Sequence, residues 1–161
     1  MATAIFPGSF DPIHNGHLEV IERACKVFDR LFVAVLRNPQ KAEPVFVIEE
    51  RTEMVKDCIS HLNNVEVVAM SVLVVDLAKS LGADVIVRGL RAVSDFESEL
   101  QMAQMNNHLS GIETLFVPTG SAHSFISSRL IREIARFGGD VSGFVPSIVA
   151  KRFEVKFNAQ T

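Results

Sequence analysis

The chain has 161 residues, of which 48% are hydrophobic and 22% charged, and a formal net charge of −3 at pH 7. This length and balance suit one globular domain with a sizeable core, not a disordered chain. An acidic balance excludes general attraction to nucleic acid, which needs a basic surface. No apolar run approaches the roughly 20 residues that span a bilayer, and the first residues lack the pattern of a secretory signal. We therefore expect a cytoplasmic protein that binds neither membranes nor nucleic acid.

The hydrophobic pattern alternates between strands and helices along the chain. Short apolar or β-branched runs predict strands, and a 3.6-residue spacing predicts helices. The predicted order is strand 3–6, helix 16–28, strand 31–36, helix 48–62, strand 65–70, helix 73–81, strand 85–87, helix 94–109, strand 114–117, helix 127–137 and a terminal helical segment at about 146–157. Repeated units of this kind predict an α/β fold: one Rossmann-like domain over residues 1–161, with a five-stranded parallel sheet and helices on both faces.

Ligands of such sheets bind beyond the carboxyl ends of the strands, so the loops after strands one, two and four are expected to hold the chemistry. The first loop, Gly8–His17, has two glycines that allow close backbone approach and leads into a helix N-terminus with unpaired N–H groups. His14 and His17 can both face a phosphate there and donate hydrogen bonds to its oxygens. His17 is the better placed for a transferring phosphorus. A zinc pair without a third ligand, or a structural helix start, are the alternatives.

The segment Arg88-Gly89-Leu90-Arg91 directly follows the predicted fourth strand. Two guanidinium groups on either side of a Gly-Leu turn can grip two different phosphates. Spacing alone allows an alternative, in which the arginines of a surface loop pair with acidic neighbours such as Asp95 or Glu97.

Two further segments are open to more than one interpretation. Lys41 lies in the predicted loop 37–44, where a lone lysine is usually solvated. The hydroxyl groups of the segment His123–Arg129 precede the last regular helix of the predicted βα series, and they can either cap that helix or donate to phosphate.

Pro-Gly-Ser-Phe-Asp-Pro at 7–12, followed by His14-Asn15-Gly16-His17, resembles the His-x-Gly-His signature of the nucleotidylyltransferase superfamily. Similarity to phosphopantetheine adenylyltransferases extends over nearly the whole chain, and the segment 87–97 matches that family closely. The resemblance implies the nucleotidylyltransferase fold and reversible transfer of AMP from ATP to 4′-phosphopantetheine, which gives dephospho-coenzyme A and pyrophosphate in coenzyme A biosynthesis. It also implies a homohexamer, and coenzyme A as a possible feedback inhibitor.

The resemblance assigns roles to individual residues. Catalytic roles fall to His17, Lys41 and Arg91. Phosphopantetheine is expected to meet Ser9, Lys41, Leu73, Val74 and Arg88. ATP is expected to contact Ser9, Phe10, His14, His17, Gly89, Leu90, Arg91, Glu99, His123, Ser124, Phe125, Ile126, Ser127, Ser128 and Arg129. In the implied mechanism the acceptor phosphate attacks the α-phosphorus in line, while His17 stabilises the charge that develops there.

Magnesium is expected on the ATP phosphates, without a protein ligand. The chain departs from the family pattern at several positions, because His14 stands where Thr is common and Arg129 where a third serine is frequent. Ser98 and His123 replace common aromatic residues, and the chain has no Tyr or Trp. Two other functions stay open: a nucleotidylyltransferase of the same fold that acts on nicotinamide mononucleotide or a phosphorylated alcohol, and a non-catalytic nucleotide or coenzyme A sensor.

Overall fold

The computed structural model describes residues 1–37 and 43–158. These residues form one parallel sheet in the order β3-β2-β1-β4-β5, with β1 (Thr3–Gly8), β2 (Arg30–Leu36), β3 (Val65–Met70), β4 (Val85–Leu90) and β5 (Glu113–Pro118). The helices are α1 (Asn15–Ala24), α2 (Ile48–Cys58), α3 (Val74–Ser80), α4 (Val93–Ser110), α5 (Ser128–Arg136) and α6 (Ser147–Asn158). The predicted α/β fold with a five-stranded parallel sheet is confirmed.

Helices cover both faces of the sheet, because alternate residues of β1 enter different hydrophobic clusters. Ala4 and Phe6 pack into a cluster with side chains of α1, α2, α5 and α6. Ile5 packs on the opposite face with β2 and with side chains of α3 such as Val75. A strand buried on both faces requires a continuous apolar run, which is what the sequence supplies here. Within the described residues, no helix is long and apolar enough to cross a membrane.

The sheet splits between β1 and β4. β1 pairs with β2 along its whole length, from Thr3 to Gly8. Its pairing with β4 includes Ala4↔Val85 and Ile5↔Ile86 and goes no further. Pro7 has no N–H group to donate to a ladder, which favours separation of the two strands at this point. The separated carboxyl ends of β1 and β4 form the walls of a crevice.

Helices α1 and α2 end at Ala24 and Cys58, each four residues before the predicted end. The ends of β1 and β4 lie beyond the predicted ones because strand pairing overrides local signals. The sequence predicts that β1 ends before Pro7-Gly8 and β4 at Val87, with Arg88, Gly89 and Leu90 in a loop. In the structure β4 continues to Leu90 because these three residues pair with Phe116, Val117 and Pro118 of β5. The prediction of a Gly-Leu turn is therefore wrong, and Arg88 projects from a rigid strand.

Candidate active site

A cavity of about 660 Å³ lies at the carboxyl ends of β1 and β4. The predicted site residues that line it are Ser9, Phe10, His14, His17, Leu73, Val74, Arg88, Gly89, Arg91, Glu99, Ser127, Ser128 and Arg129. Within residues 1–37 and 43–158, five arginines line this cavity, including Arg37 and Arg132, and the lining carboxylates are Asp95 and Glu99. The cavity is therefore locally cationic although the chain carries a net negative charge.

His14 and His17 begin helix α1 by capping one another's backbone. The His14 Nδ1 atom accepts from the N–H groups of Gly16 at 3.0 Å and His17 at 3.3 Å. The His17 Nδ1 atom accepts in turn from the His14 N–H at 3.2 Å. This is the reciprocal arrangement of a capping box, built from two imidazoles instead of a hydroxyl and a carboxylate. Since both Nδ1 atoms act as acceptors, each neutral ring carries its proton on Nε2.

The site environment keeps both imidazoles neutral. Burial lowers the pKa of His14 from 6.5 to about 3, and the charges of Arg91 and His123 act in the same direction. The pKa of His17 is also lowered well below 6.5, first by burial and then by His14, Arg91 and Arg88. The two rings stack with their centroids 3.6 Å apart. At neutral pH each ring therefore stays uncharged, takes up no second proton and can serve as an Nε2–H hydrogen-bond donor.

The backbone before α1 is shaped by Phe10. This residue is 1% exposed and has a φ of 48°, a left-handed conformation that costs a side-chain-bearing residue about 1 kcal/mol or more. Its ring packs edge-on against His17, with the centroids 4.9 Å apart, and so supports the imidazole. A Cβ on Gly16 would lie 2.9 Å from His14 Cε1, so a residue larger than glycine would displace the His14 ring where the cap closes.

Arg88 crosses the split in the sheet. Its Nη1 atom donates to the Pro7 carbonyl at 2.7 Å, while Nε and Nη2 make a bidentate pair with Glu99 at 2.8 and 2.7 Å. Two of the five guanidinium donors remain for a ligand. Both oxygens of Glu99 bind Arg88, so in this structure Glu99 orients the arginine.

Arg91 joins β4 to the segment before α5. It pairs with Asp95 at 3.1 Å and donates to the Ile126 carbonyl at 2.9 Å. Ser127 caps α5 by accepting from the Leu130 N–H, and the Ser128 hydroxyl donates to the Pro12 carbonyl at 2.8 Å. The capping interpretation of the serine segment is confirmed for Ser127. Ser127 and Ser128 also line the cavity, and their donation to phosphate stays a prediction.

Several predicted residues lie apart from the cavity lining. Ile126 is 3% exposed and belongs to the core, whereas Phe125 is 62% exposed and contacts Phe144 edge-on. Leu90 lines a shallower neighbouring cavity of about 360 Å³. The His123 imidazole pairs with Glu19, and Ser124 lies in the same loop, with its N–H bonded to the Gly120 carbonyl. Lys41 falls outside the described residues, so its predicted roles stay predictions.

Sequence reasoning missed a second group of cavity residues on α4 and β5. Met102, Ala103 and Asn106 follow Glu99 on the same helix and line the cavity, and Thr114 of β5 lies beside them. Asn106 is 7% exposed, and the Thr114 hydroxyl oxygen is buried without a hydrogen-bond partner in the described structure. Spacing of three and four residues from Glu99 could have indicated this face.

Arg51 is another residue that the sequence did not reveal. It is 4% exposed and donates to three backbone carbonyls, those of Ser9, Leu36 and Phe46, at 2.5, 2.8 and 3.0 Å. Burial lowers its pKa from the ordinary value. Asp11 adds to this fixation by accepting from the N–H group of Phe46 at 2.9 Å. The ends of β1 and β2 are thereby joined to the chain that enters α2.

Comparison with known proteins identifies the family. A family model described as cytidylyltransferase-like matches residues 5–134. A phosphopantetheine adenylyltransferase of Gloeobacter violaceus is 54% identical over 155 residues, which is 96% of each chain. The phosphopantetheine adenylyltransferase of Heliobacterium modesticaldum is 48% identical, and the match spans 98% of this chain and 94% of that one. The one of Synechococcus elongatus is 51% identical, and the match spans 96% of this chain and 93% of that one. The chain belongs to the phosphopantetheine adenylyltransferase family.

Solved structures place this phosphopantetheine adenylyltransferase family member on a widely used fold. A Vibrio parahaemolyticus protein described as a nicotinate-nucleotide adenylyltransferase aligns with a TM-score of 0.70 at 19% identity, over 100% of this chain and 98% of that one. A lipopolysaccharide core biosynthesis protein of Thermoplasma volcanium aligns with a TM-score of 0.55 at 22% identity, over 74% of this chain and 97% of that one. At these identities the likeness concerns the fold alone.

Proposed function

We propose that this protein transfers AMP from ATP to 4′-phosphopantetheine, and that it forms dephospho-coenzyme A and pyrophosphate in coenzyme A biosynthesis. The observation that carries the proposal is the identity of about 50% over nearly the full chain to enzymes of that name. The cationic cavity with its paired imidazoles supplies groups that suit the chemistry. An acceptor phosphate is already a nucleophile, so the protein needs to position it and stabilise charge.

The acceptor phosphate is assigned to Arg88. Its remaining N–H donors face a cavity at the split of the sheet, and Glu99 fixes the plane of the guanidinium. A planar, oriented guanidinium suits bidentate binding of phosphate. Lys41 is assigned to the same phosphate from the family resemblance.

The transferring α-phosphate is assigned to the first turn of α1. His17 presents its Nε2–H as a neutral donor to the oxygen on which charge grows during attack, and the helix N-terminus adds a partial positive charge. Because the proton stays on Nε2, the imidazole acts through a hydrogen bond and leaves the number of protons in the reaction unchanged. Arg91, with Ser127 and Ser128, is assigned to the departing pyrophosphate.

The pantetheine arm is assigned to the part of the cavity that is lined by residues of α4 and β5 and by the start of α3. Leu73 and Val74 offer apolar contacts there, and the side-chain amide of Asn106 and the unpaired hydroxyl of Thr114 offer polar ones. The arm alternates methylene groups and amides, so a wall of mixed polarity suits it.

Magnesium is assigned to the substrate, as the complex of ATP. Among the described residues no group of three or more His, Cys, Asp or Glu side chains could hold a metal ion. Asp95 and Glu99 at the cavity are each paired with an arginine. Mg²⁺ binds readily through phosphate oxygens and retained water, which matches entry with the nucleotide.

We also propose assembly into a homohexamer. Support comes from apolar side chains on α4 and the edge strand β5 that are 36–59% exposed in the isolated chain: Phe96, Leu100, Met105, Leu109 and Leu115. An apolar surface beside an unpaired strand edge favours contact with a second chain. Sedimentation equilibrium tests the proposal, since a monomer mass at micromolar concentration contradicts it.

Coenzyme A is proposed as a feedback inhibitor, because it carries the same pantetheine arm and adenylate as the product and one further phosphate. A cytoplasmic location is proposed with it, since ATP and phosphopantetheine meet there. Inhibition that is competitive with phosphopantetheine supports shared occupancy of the cavity, and no inhibition at millimolar coenzyme A contradicts it.

The deciding experiment measures pyrophosphate release from Mg·ATP with 4′-phosphopantetheine, with nicotinamide mononucleotide and with no acceptor. Release with phosphopantetheine alone, with dephospho-coenzyme A as product, supports the proposal. Pyrophosphate release with another acceptor contradicts the proposed substrate. No release with any acceptor favours a non-catalytic sensor. The His17→Ala variant is expected to turn over about a hundredfold more slowly, because it lacks a donor to the developing charge.

A further inference from the structure

Glu19 lies on α1, two residues beyond His17, and binds the loop between β5 and α5. Its Oε1 atom accepts from the Gly120 N–H at 2.9 Å, and its Oε2 atom lies 2.7 Å from Nδ1 of His123. The side chain is 15% exposed. None of the roles assigned above involves it.

Arg23, one helical turn further along α1, completes the cluster. It pairs with Glu19 Oε1 at 2.5 Å, and its other guanidinium nitrogen donates to the Pro118 carbonyl at 2.7 Å. The loop is therefore fixed to α1 at both Pro118 and Gly120. We name residues 118–123 with Glu19 and Arg23 the loop clamp.

The loop clamp is close to the reacting groups. The His123 carbonyl lies 3.5 Å from the point that a Cβ on Gly16 would occupy, so the loop rests on the first turn of α1. The charge of His123 contributes to lowering the pKa of His14. The hydrogen bond with His123 lowers the pKa of Glu19, an effect that the Gly120 N–H and Arg23 support and that burial opposes. Glu19 is thus a carboxylate that accepts hydrogen bonds at the working pH.

The loop leads directly into residues 123–129, which the family resemblance assigns to ATP. Thr119 and Ser127 line the cavity, and the Ile126 N–H donates to the His123 carbonyl at 3.1 Å. A shift of His123 would therefore be passed on to the segment that caps α5. The imidazole of His123, which is 35% exposed, has its ring plane set by the Glu19 carboxylate.

We propose that Glu19 is a positioning residue for ATP, which it affects through His123 and the Gly120 N–H without touching the nucleotide. The inference rests on the proposed function in one respect, the assignment of the loop to ATP. It does not depend on which acceptor is used.

The test measures affinity for α,β-methylene-ATP with magnesium by calorimetry, in wild type, Glu19→Ala, Glu19→Gln, His123→Ala and the double variant Glu19→Ala/His123→Ala. Glu19→Ala is expected to weaken binding about tenfold, because hydrogen bonds to a charged group are lost. The affinity of Glu19→Gln for the ATP analogue should lie between those of wild type and Glu19→Ala, since an amide oxygen can still accept from the Gly120 N–H group. The double variant should bind within about twofold of the weaker single variant, which shows that the two residues act as one unit.

Controls separate positioning from general loss of structure. Affinity for 4′-phosphopantetheine should change by less than about twofold in Glu19→Ala. Glu22 lies on the next turn of α1 with a half-exposed side chain, so Glu22→Ala should leave both affinities unchanged. Unchanged affinity of Glu19→Ala and Glu19→Gln for the ATP analogue overturns the proposal, as do equal losses for both ligands or independent effects of Glu19 and His123. Should Glu19→Ala not fold, the near-isosteric Glu19→Gln carries the same test alone. A failed acceptor assay with an intact ATP-affinity series would count against the proposed function and leave the loop clamp supported.

Discussion

Replacement of His14 by Asn should flatten the dependence of stability on pH. His14 is 3% exposed, and its pKa is about 3 in the folded protein against 6.5 in an unfolded chain. Below pH 6.5 His14 therefore binds a proton in the unfolded chain but stays neutral in the folded protein. Its contribution to the free energy of unfolding is fully present above pH 6.5 and is lost as the pH falls toward 3. Each pH unit below 6.5 costs about 1.4 kcal/mol, which amounts to roughly 2 kcal/mol at pH 5. Asn keeps an oxygen that can cap α1 and removes the titrating ring.

The assay is urea unfolding at pH 7.5, 6 and 5, followed by far-ultraviolet circular dichroism because the chain has no Trp or Tyr to report by fluorescence. Between pH 7.5 and 5, wild type should lose roughly 2 kcal/mol more unfolding free energy than His14→Asn. The matched control, His108→Asn at an exposed position of α4, should follow wild type. Equal losses in wild type and His14→Asn would refute the assignment of a buried, neutral imidazole.

Three other substitutions test separate parts of the site. Arg51→Met should lower the free energy of unfolding by roughly 2–4 kcal/mol, because three backbone carbonyls lose their donor; urea unfolding at pH 7.5 measures this loss. Gly16→Ala should leave the protein folded but lower turnover at least about tenfold, since the new methyl group displaces the His14 ring; circular dichroism and pyrophosphate release read the two effects. Arg88→Lys should raise KM for phosphopantetheine by about tenfold, because an ammonium cannot hold Glu99 and a phosphate in one plane; an unchanged KM would contradict the role of Arg88.

The sequence predicted the fold because local and global signals agree in most elements. The run Leu31–Leu36 is apolar and β-branched, and the structure buries it on both faces of the sheet. The histidine pair also followed from spacing, since residues three apart at a helix start lie close together. The reciprocal cap was not predicted, because the usual capping-box pattern has a hydroxyl and a carboxylate at these positions.

The features that the sequence did not predict depend on contacts between residues that are distant in the chain. Leu90 belongs to β4 because β5 pairs with it, and nothing local to Gly89 indicates this partner. Glu19 and His123 are 104 residues apart in the chain, so nothing local to either residue indicates that their side chains pair. Arg51 lies among the charged residues of an amphipathic helix, and its burial follows from three carbonyls that only the folded chain brings together.

The split between β1 and β4 has a consequence for the evolution of substrate choice. The opening arises where backbone pairing stops after Ile5↔Ile86, next to a proline that cannot donate a hydrogen bond. Side chains such as those of Arg88 and Asn106 line this opening, but the opening itself is formed by the backbone. Substitutions within it can therefore change the shape and charge of the cavity while the architecture persists, and the same fold is retained at 19% identity in a Vibrio parahaemolyticus protein.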